Sequence, residues 1–122
     1  ELAQQWRGSS PPTLLANVSN IGWFGDTIAI AQHLNISRLR TLEFQVPMVR
    51  ATNTGATAAI DHRGAVTAQL APFTRGVLDA QVEGRRGATP YVRWVGAFGL
   101  WPPALLALLL VAVLGRWKRA PS

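Results

Sequence analysis

His33 and His62 are the two histidines of this chain, Lys118 is its single lysine, and it has no cysteine. Without thiols, these residues hold no disulfide, no thiolate metal site and no cysteine nucleophile. Neither histidine has a His-x-x-x-His or His-Glu neighbour, so no metal and no other cofactor is expected. His33 follows Gln32 on a helical stretch and reads as a histidine facing a neighbouring strand. His62 falls in the turn Asp61-His62-Arg63-Gly64 and reads as solvated. Ser19, His33 and Asp26 supply the residue types of an acyl-transfer triad, but no nucleophile-elbow pattern surrounds Ser19. A self-contained active site is therefore not expected.

The segment from Asn17 to Asp26 is more informative. Its residues Ser19-Asn20-Ile21-Gly22-Trp23-Phe24-Gly25 put a polar loop, two aromatic rings and two glycines after an apolar run and before a helical one. In open α/β sheets, ligands sit beyond the carboxyl ends of strands, where free backbone N–H groups converge. Two roles fit Trp23 and Phe24: lining such a site, or plugging the junction between helix and sheet.

The elements that would position this loop read as mixed α/β. Glu1 to Arg7 resembles the end of a helix, stopped by Gly8-Ser9-Ser10-Pro11-Pro12. Thr13 to Val18 is a short apolar run of the kind that forms a buried strand. Asp26 is placed as an N-cap for a helix from Thr27 to Val46, ending before Pro47. On it Ile30, Leu34, Leu42 and Val46 form a row of i+4 steps, read as a buried stripe, with Arg38 in the same row. An arginine there either snorkels outward or pairs with a buried acid. Arg40 and Glu43 form an i,i+3 pair.

After Pro47 the periodicity shortens to that of strands: Met48 to Thr52, Ala56 to Ile60, Ala65 to Leu70 and Gly76 to Val82. Asn53-Thr54-Gly55 and Asp61-His62-Arg63-Gly64 between them are hairpin turns in which glycine supplies a positive φ. Strands this short and rich in Ala and Thr usually join a larger sheet, so residues 1–93 read as an incomplete domain. The chain opens on Glu1 rather than methionine, as a processed chain or a piece of a longer one would.

Residues 94–119 read as one transmembrane helix with a basic end, followed by a tail over 120–122. From Trp94 to Gly115 no residue is charged, a length of about 33 Å that matches a hydrocarbon core of about 30 Å. Pro102 and Pro103 mark the start of the regular helix, which would still run about 27 Å to Arg119. Trp101 and Trp117 would sit at the two interfaces, and Arg116, Lys118 and Arg119 would hold the C-terminus in the cytoplasm. The preceding part would then face the periplasm, although Arg85, Arg86 and Arg93 carry the same charge on that side.

The 122 residues are 48% hydrophobic and 15% charged, too apolar for a disordered chain. The net charge of +6 invites a nucleic-acid reading. Eleven of the twelve cations are arginines, most scattered singly, and three of the twelve follow the membrane segment, so no nucleic-acid partner is expected.

SNIGWFGDTIAIAQHLNISRLRTLE, PMVRATNTGATAAIDHRG, a loop with Tyr91 and a Trp-Pro lead into a terminal apolar helix occur in that order. Together they resemble the C-terminal part of the bacterial apolipoprotein N-acyltransferases, inner-membrane members of the nitrilase (carbon–nitrogen hydrolase) superfamily. The resemblance covers nearly the whole chain. It implies the C-terminal part of a nitrilase-like αββα sandwich followed by one transmembrane helix. It also implies acyl transfer from a phospholipid donor, through a cysteine thioester, to the α-amino group of a diacylglyceryl apolipoprotein acceptor, with a glutamate as general base and a lysine at the oxyanion. In the family that triad lies upstream of the stretch matched here, so the resemblance assigns no catalytic residue to this chain and predicts that it is inactive without the upstream part of the same enzyme. Asn20, Trp23 and Phe24 are the candidates for lining the pocket. Arg38, Glu43, Arg50 and Asn53 are expected to fix the helix and loops against the sheet. Ile21 stands where the family often has an acid, which argues against direct catalysis at that position. A membrane-tethered, non-catalytic binding module that uses the Trp23-Phe24 loop is the alternative.

Overall fold

The computed structural model describes residues 2–99 and 101–117, without the side chains of Arg116 and Trp117. A 3₁₀ helix over Leu2–Arg7 leads to strand β1 (Leu15–Ser19), a 3₁₀ turn over Gly22–Phe24 and helix α1 (Ala29–Phe44). Strands β2 (Met48–Thr52), β3 (Ala58–Ile60) and β4 (Val66–Gln69) follow, then helices α2 (Pro90–Phe98) and α3 (Trp101–Trp117). The sheet order is β1-β2-β3-β4. β1 and β2 are parallel, with Asn17 opposite Arg50, and are joined through α1, as a parallel pair requires a crossover. β2, β3 and β4 form an antiparallel meander with a register shift at Ala59/Ile60.

Alternation along the strands divides the sheet into two faces. Leu15, Met48, Ala58 and Ile60 point toward α1 and form the main core with Trp6, Phe44, Val46 and Val92. The opposite face carries Ala16, Val18, Val49, Ala51 and Ala59. Much of it is open: Val18 is 86% exposed. β1 is thus buried on one face only, not on both as its apolar run implies.

α1 is shorter than the 27–46 range read from the sequence. Its N-cap position is Ile28, which makes no side-chain cap bond, so Asp26 does not start the helix. It ends at Gln45 in the left-handed conformation, whose N–H donates to Thr41 O at 2.8 Å. The row turned toward the sheet runs through Ile30, Leu34, Ser37, Thr41 and Phe44, while Leu42 is exposed and Val46 lies beyond the helix. A strict i+4 row over-rotates by about 40° per step at 3.6 residues per turn, so it cannot stay on one face for four steps. Arg38 pairs with no buried acid. Its Nε donates to Gly64 O at 2.7 Å and its Nη1 to Asn35 Oδ1 at 3.3 Å, tying the helix to the β3–β4 turn.

That turn is built as its residues imply. Asp61 Oδ1 accepts from the N–H groups of Arg63 and Ala65, at 2.9 and 2.8 Å, and Gly64 has φ +76. Gly55 behaves differently. Its φ is not positive, and it is buried against Ile21, where a Cβ would lie 2.3 Å from Ile21 Cδ1. Glycine is needed there for space.

The strand expected over Gly76–Val82 does not form. Residues 75–89 have no regular structure. Part of this stretch instead lies over the open face of the sheet, where Val77 and Leu78 border a cavity of about 390 Å³ with Val18 and Ala51. Placed over a face and away from an edge, it finds no ladder of N–H and C=O groups to join.

The uncharged run from Trp94 to Gly115 is not one rod. It breaks at Gly99, with φ +62, and α2 and α3 meet at a bend of 77°. Among the described residues no single helix is long and apolar enough to cross a membrane, whereas the bent pair passes by length and composition. α3, at 17 residues, is about 25 Å long. α2 runs through residue 93 and packs on the N-terminal 3₁₀ helix. Val92 and Gly96 are buried, and Arg7 Nη1 donates to Gly96 O at 3.1 Å. Trp6 stacks on Phe44 at 4.5 Å, and Tyr91 meets Phe44 edge-on at 6.0 Å. Lys118 and Arg119, and the side chains of Arg116 and Trp117, lie outside the described residues.

Thr89 joins α2 to α1. Its Oγ1 accepts the Val92 N–H at 3.1 Å and donates to Glu43 O at 2.7 Å. Thr89→Ala removes both bonds and is expected to destabilise the complete protein by about 1 kcal/mol, the usual worth of an N-cap. A thermal unfolding midpoint unchanged by the substitution would show that α2 is held otherwise.

Candidate functional site

At the carboxyl ends of the parallel strands β1 and β2, two asparagines lock the loops together. Asn53 Nδ2 donates to Asn20 Oδ1 at 2.7 Å, and that oxygen also accepts the Gly22 N–H at 3.1 Å. Asn53 Oδ1 in turn accepts the Ile21 N–H at 3.2 Å. A Cβ on Gly22 would fall 3.2 Å from Asn53 Nδ2, so a side chain there would press on this bridge. Asn53→Ala leaves the Ile21 N–H without its partner and Asn20 Oδ1 with the Gly22 N–H alone, a loss of about 1 kcal/mol. Hydrogen exchange at the Ile21 amide is expected to accelerate accordingly, and unchanged protection would assign the loop's order to something else.

Beneath the bridge, Ile21 is 2% exposed and forms a small apolar cluster with Ile30 and Ala56, with Leu34 against it. Ile21, and not the aromatic pair, fills the helix–sheet junction. The 3₁₀ turn then runs outward, closed by bonds from the Phe24 N–H to Ile21 O at 3.1 Å and from the Gly25 N–H to Gly22 O at 3.2 Å. Thr27 Oγ1 donates to Phe24 O at 2.9 Å, and Gly25 has φ +57, a conformation that side chains other than glycine's disfavour. The rings are thereby presented outside the fold: Trp23 is 88% exposed and Phe24 56%. Two large apolar rings on a pinned loop, at the carboxyl end of parallel strands, make a surface suited to an apolar ligand.

Of the sequence candidates, Asn20, Trp23 and Phe24 thus fall on one loop. Asn53 is the member that sequence spacing alone does not tie to Asn20, because the two are 33 residues apart. Trp101, at the start of α3, is exposed and belongs to a different part of the molecule. His33 acts through its backbone: its carbonyl accepts from Arg50 Nη1 at 2.7 Å and from Ser37 Oγ at 3.2 Å. His62 lies in the β3–β4 turn, half-buried. Among the described residues no group of three or more His, Asp or Glu side chains is placed to hold a metal ion.

Arg50 is buried on the face under α1, and its Nη1 also donates to Ser37 Oγ at 2.7 Å. Burial lowers its pKa from the ordinary guanidinium value. Glu43 contributes its backbone carbonyl to Thr89, while its carboxylate pairs with Arg40 on the helix surface. Arg38, Glu43, Arg50 and Asn53 therefore each bridge separate elements.

Comparison with known proteins places these features in a family. The family described as carbon–nitrogen hydrolase matches residues 12–91, from just before β1 to the start of α2. An apolipoprotein N-acyltransferase of Verminephrobacter eiseniae is 65% identical over 96 residues, 73% of this chain and 18% of that protein. One from Ralstonia nicotianae is 55% identical over 112 residues, 90% of this chain and 20% of that protein. One from Vibrio cholerae is 50% identical over 80 residues, 66% of this chain and 16% of that protein. The chain spans about a fifth of the length of the curated relatives it matches.

Proposed function

Because the chain belongs to the carbon–nitrogen hydrolase family, we propose that it is the C-terminal portion of an apolipoprotein N-acyltransferase. The observation that carries this reading is the 55% identity to the Ralstonia enzyme over 90% of the chain, which extends past residue 91 and so beyond the family match. The complete enzyme moves an acyl chain from a phospholipid to the α-amino group of a diacylglyceryl-cysteine on a lipoprotein. A cysteine thiolate attacks the phospholipid ester and expels the lysophospholipid alcohol. The lipoprotein amine then attacks the thioester and releases the thiolate. The cysteine, the glutamate base and the oxyanion lysine all belong to the upstream part.

In this reading residues 1–93 complete the nitrilase-like sandwich, and the open sheet face with Val18 and Ala51 receives upstream chain. The pinned loop brings Trp23 and Phe24 beside the nucleophile, where two apolar rings can pack along an acyl chain. α2 and α3 attach the domain to the bacterial inner membrane, with the globular part periplasmic and the basic end cytoplasmic. Both substrates are anchored in that membrane, so tethering the domain at its surface spares each of them a costly transfer through water.

A chimera tests this. The last fifth of the Ralstonia enzyme is replaced by the present chain, and the product is assayed in phospholipid vesicles with a diacylglyceryl-cysteine peptide. N-acylated peptide is expected. A chimera that folds and inserts but leaves the peptide unacylated would contradict the assignment.

A further inference from the structure

Arg50 is 2% exposed, and only one of its three nitrogens is bonded. Its Nε and Nη2 are buried without a hydrogen-bond partner among the described residues. One strand over, its register neighbour Asn17 has a buried Oδ1 with no partner, and so does Ser19 at Oγ. All these atoms lie on one face of the sheet, on β1, the edge strand, and on β2 beside it. A cavity of about 370 Å³ opens between that edge and α1, lined by Leu2, Asn17, Arg40 and both residues that accept from Arg50, His33 and Ser37, with Arg50 itself behind them.

A guanidinium stays protonated when buried, so its unmet donors call for an anion. The described acids do not supply one. Glu43 pairs with Arg40, Asp61 holds its own turn, and Asp26, Asp79 and Glu83 are exposed. The unpartnered oxygens of Asn17 and Ser19 call for donors beside that anion. A segment of polypeptide laid along the β1 edge would bring both, a carboxylate for Arg50 and N–H groups for the oxygens; a free inorganic anion would bring only the first.

We infer that Arg50 is the receiving half of a buried ion pair whose carboxylate comes from an Asp or Glu in the part of the complete protein outside this chain, docked along the open edge of β1 over Asn17. The inference rests on the reading that the chain is one portion of a longer enzyme, whose relatives are about five times its length.

The test is a set of double-mutant cycles in the complete protein, read by thermal unfolding and, separately, by N-acyl transfer. Arg50→Met and Arg50→Gln are each combined with neutralisation of Glu1 and of every upstream Asp (to Asn) and Glu (to Gln). One acid is expected to couple to Arg50: its neutralisation lowers the unfolding midpoint in the parent protein and has little further effect beside Arg50→Met, a coupling of about tenfold or more in the unfolding equilibrium. Where Arg50→Met does not fold, the Arg50→Gln cycle, which also removes the charge, reads the same coupling. Strict additivity for every upstream acid would overturn the inference. So would a midpoint that rises with phosphate concentration in the parent but not beside Arg50→Met while no acid couples, which would mark a free anion. Coupling in a protein that transfers no acyl group would uphold the ion pair and refute the enzymatic reading. Transfer without coupling would do the reverse.

Discussion

Gly55→Val is expected to destabilise the complete protein more than any surface change in this segment. A Cβ at residue 55 would stand 2.3 Å from Ile21 Cδ1 and 2.9 Å from Ile21 Cγ1. Ile21 cannot retreat easily, since its N–H is held by Asn53 and its side chain is packed against Ile30 and Ala56. Overpacking of this kind costs about 1–3 kcal/mol, occasionally more. The larger consequence is positional. Displacing Ile21 would strain the asparagine bridge and tilt the Trp23-Phe24 turn that follows, so acyl transfer should fall along with the unfolding midpoint. Gly55→Val with both unchanged would mean that the loop tolerates a different path.

Trp23→Ala is expected to separate the two effects. At 88% exposure the ring contributes little to the fold, and exposed substitutions usually change stability by no more than about 0.5 kcal/mol. If the ring packs on the acyl chain, its loss should cost about 2 kcal/mol of binding, the scale of an aromatic hot spot, and so lower transfer by about thirtyfold. Trp23→Phe should recover most of that, because an apolar ring is what the contact needs. Kinetics on the complete protein in vesicles would measure it. Equal rates for Trp23→Ala and the parent would remove Trp23 from the pocket and favour Phe24 alone or another surface.

Local patterns in the chain announce local structure. The β2 segment Met48–Thr52 is legible to the residue because Pro47 and Asn53 bound it, and the Asp61–Gly64 turn follows from its own side-chain chemistry. Features that depend on distant partners are not legible in this way. The Asn20–Asn53 bridge joins residues 33 apart, and Arg50 finds Ser37 across 13. Nothing in the RATNTG run distinguishes a glycine needed for space from one needed for a positive φ. Gly76–Val82 reads as one more short strand, but a strand also needs an edge to pair with. Near Gly99 the start of α3 follows from Pro102 and Pro103, but the 77° bend is hidden, since composition from Trp94 to Gly115 is continuous.

The unpaired groups of the sheet have a common physical cause in the proposed complete enzyme. Val18 on an open face, Asn17 and Ser19 at an open edge and Arg50 behind them are all residues whose partners a larger sheet would supply. They lie together on β1 and β2, at the end of the sheet away from β3 and β4.

The most direct measurement is mass spectrometry of the complete protein after incubation with phospholipid and no acceptor. One acyl adduct is expected, labile to hydroxylamine as a thioester is, on a cysteine outside this cysteine-free chain, and it should be discharged when a diacylglyceryl-cysteine peptide is added. An adduct on any of these 122 residues, or turnover with no adduct at all, would contradict the acyltransferase reading.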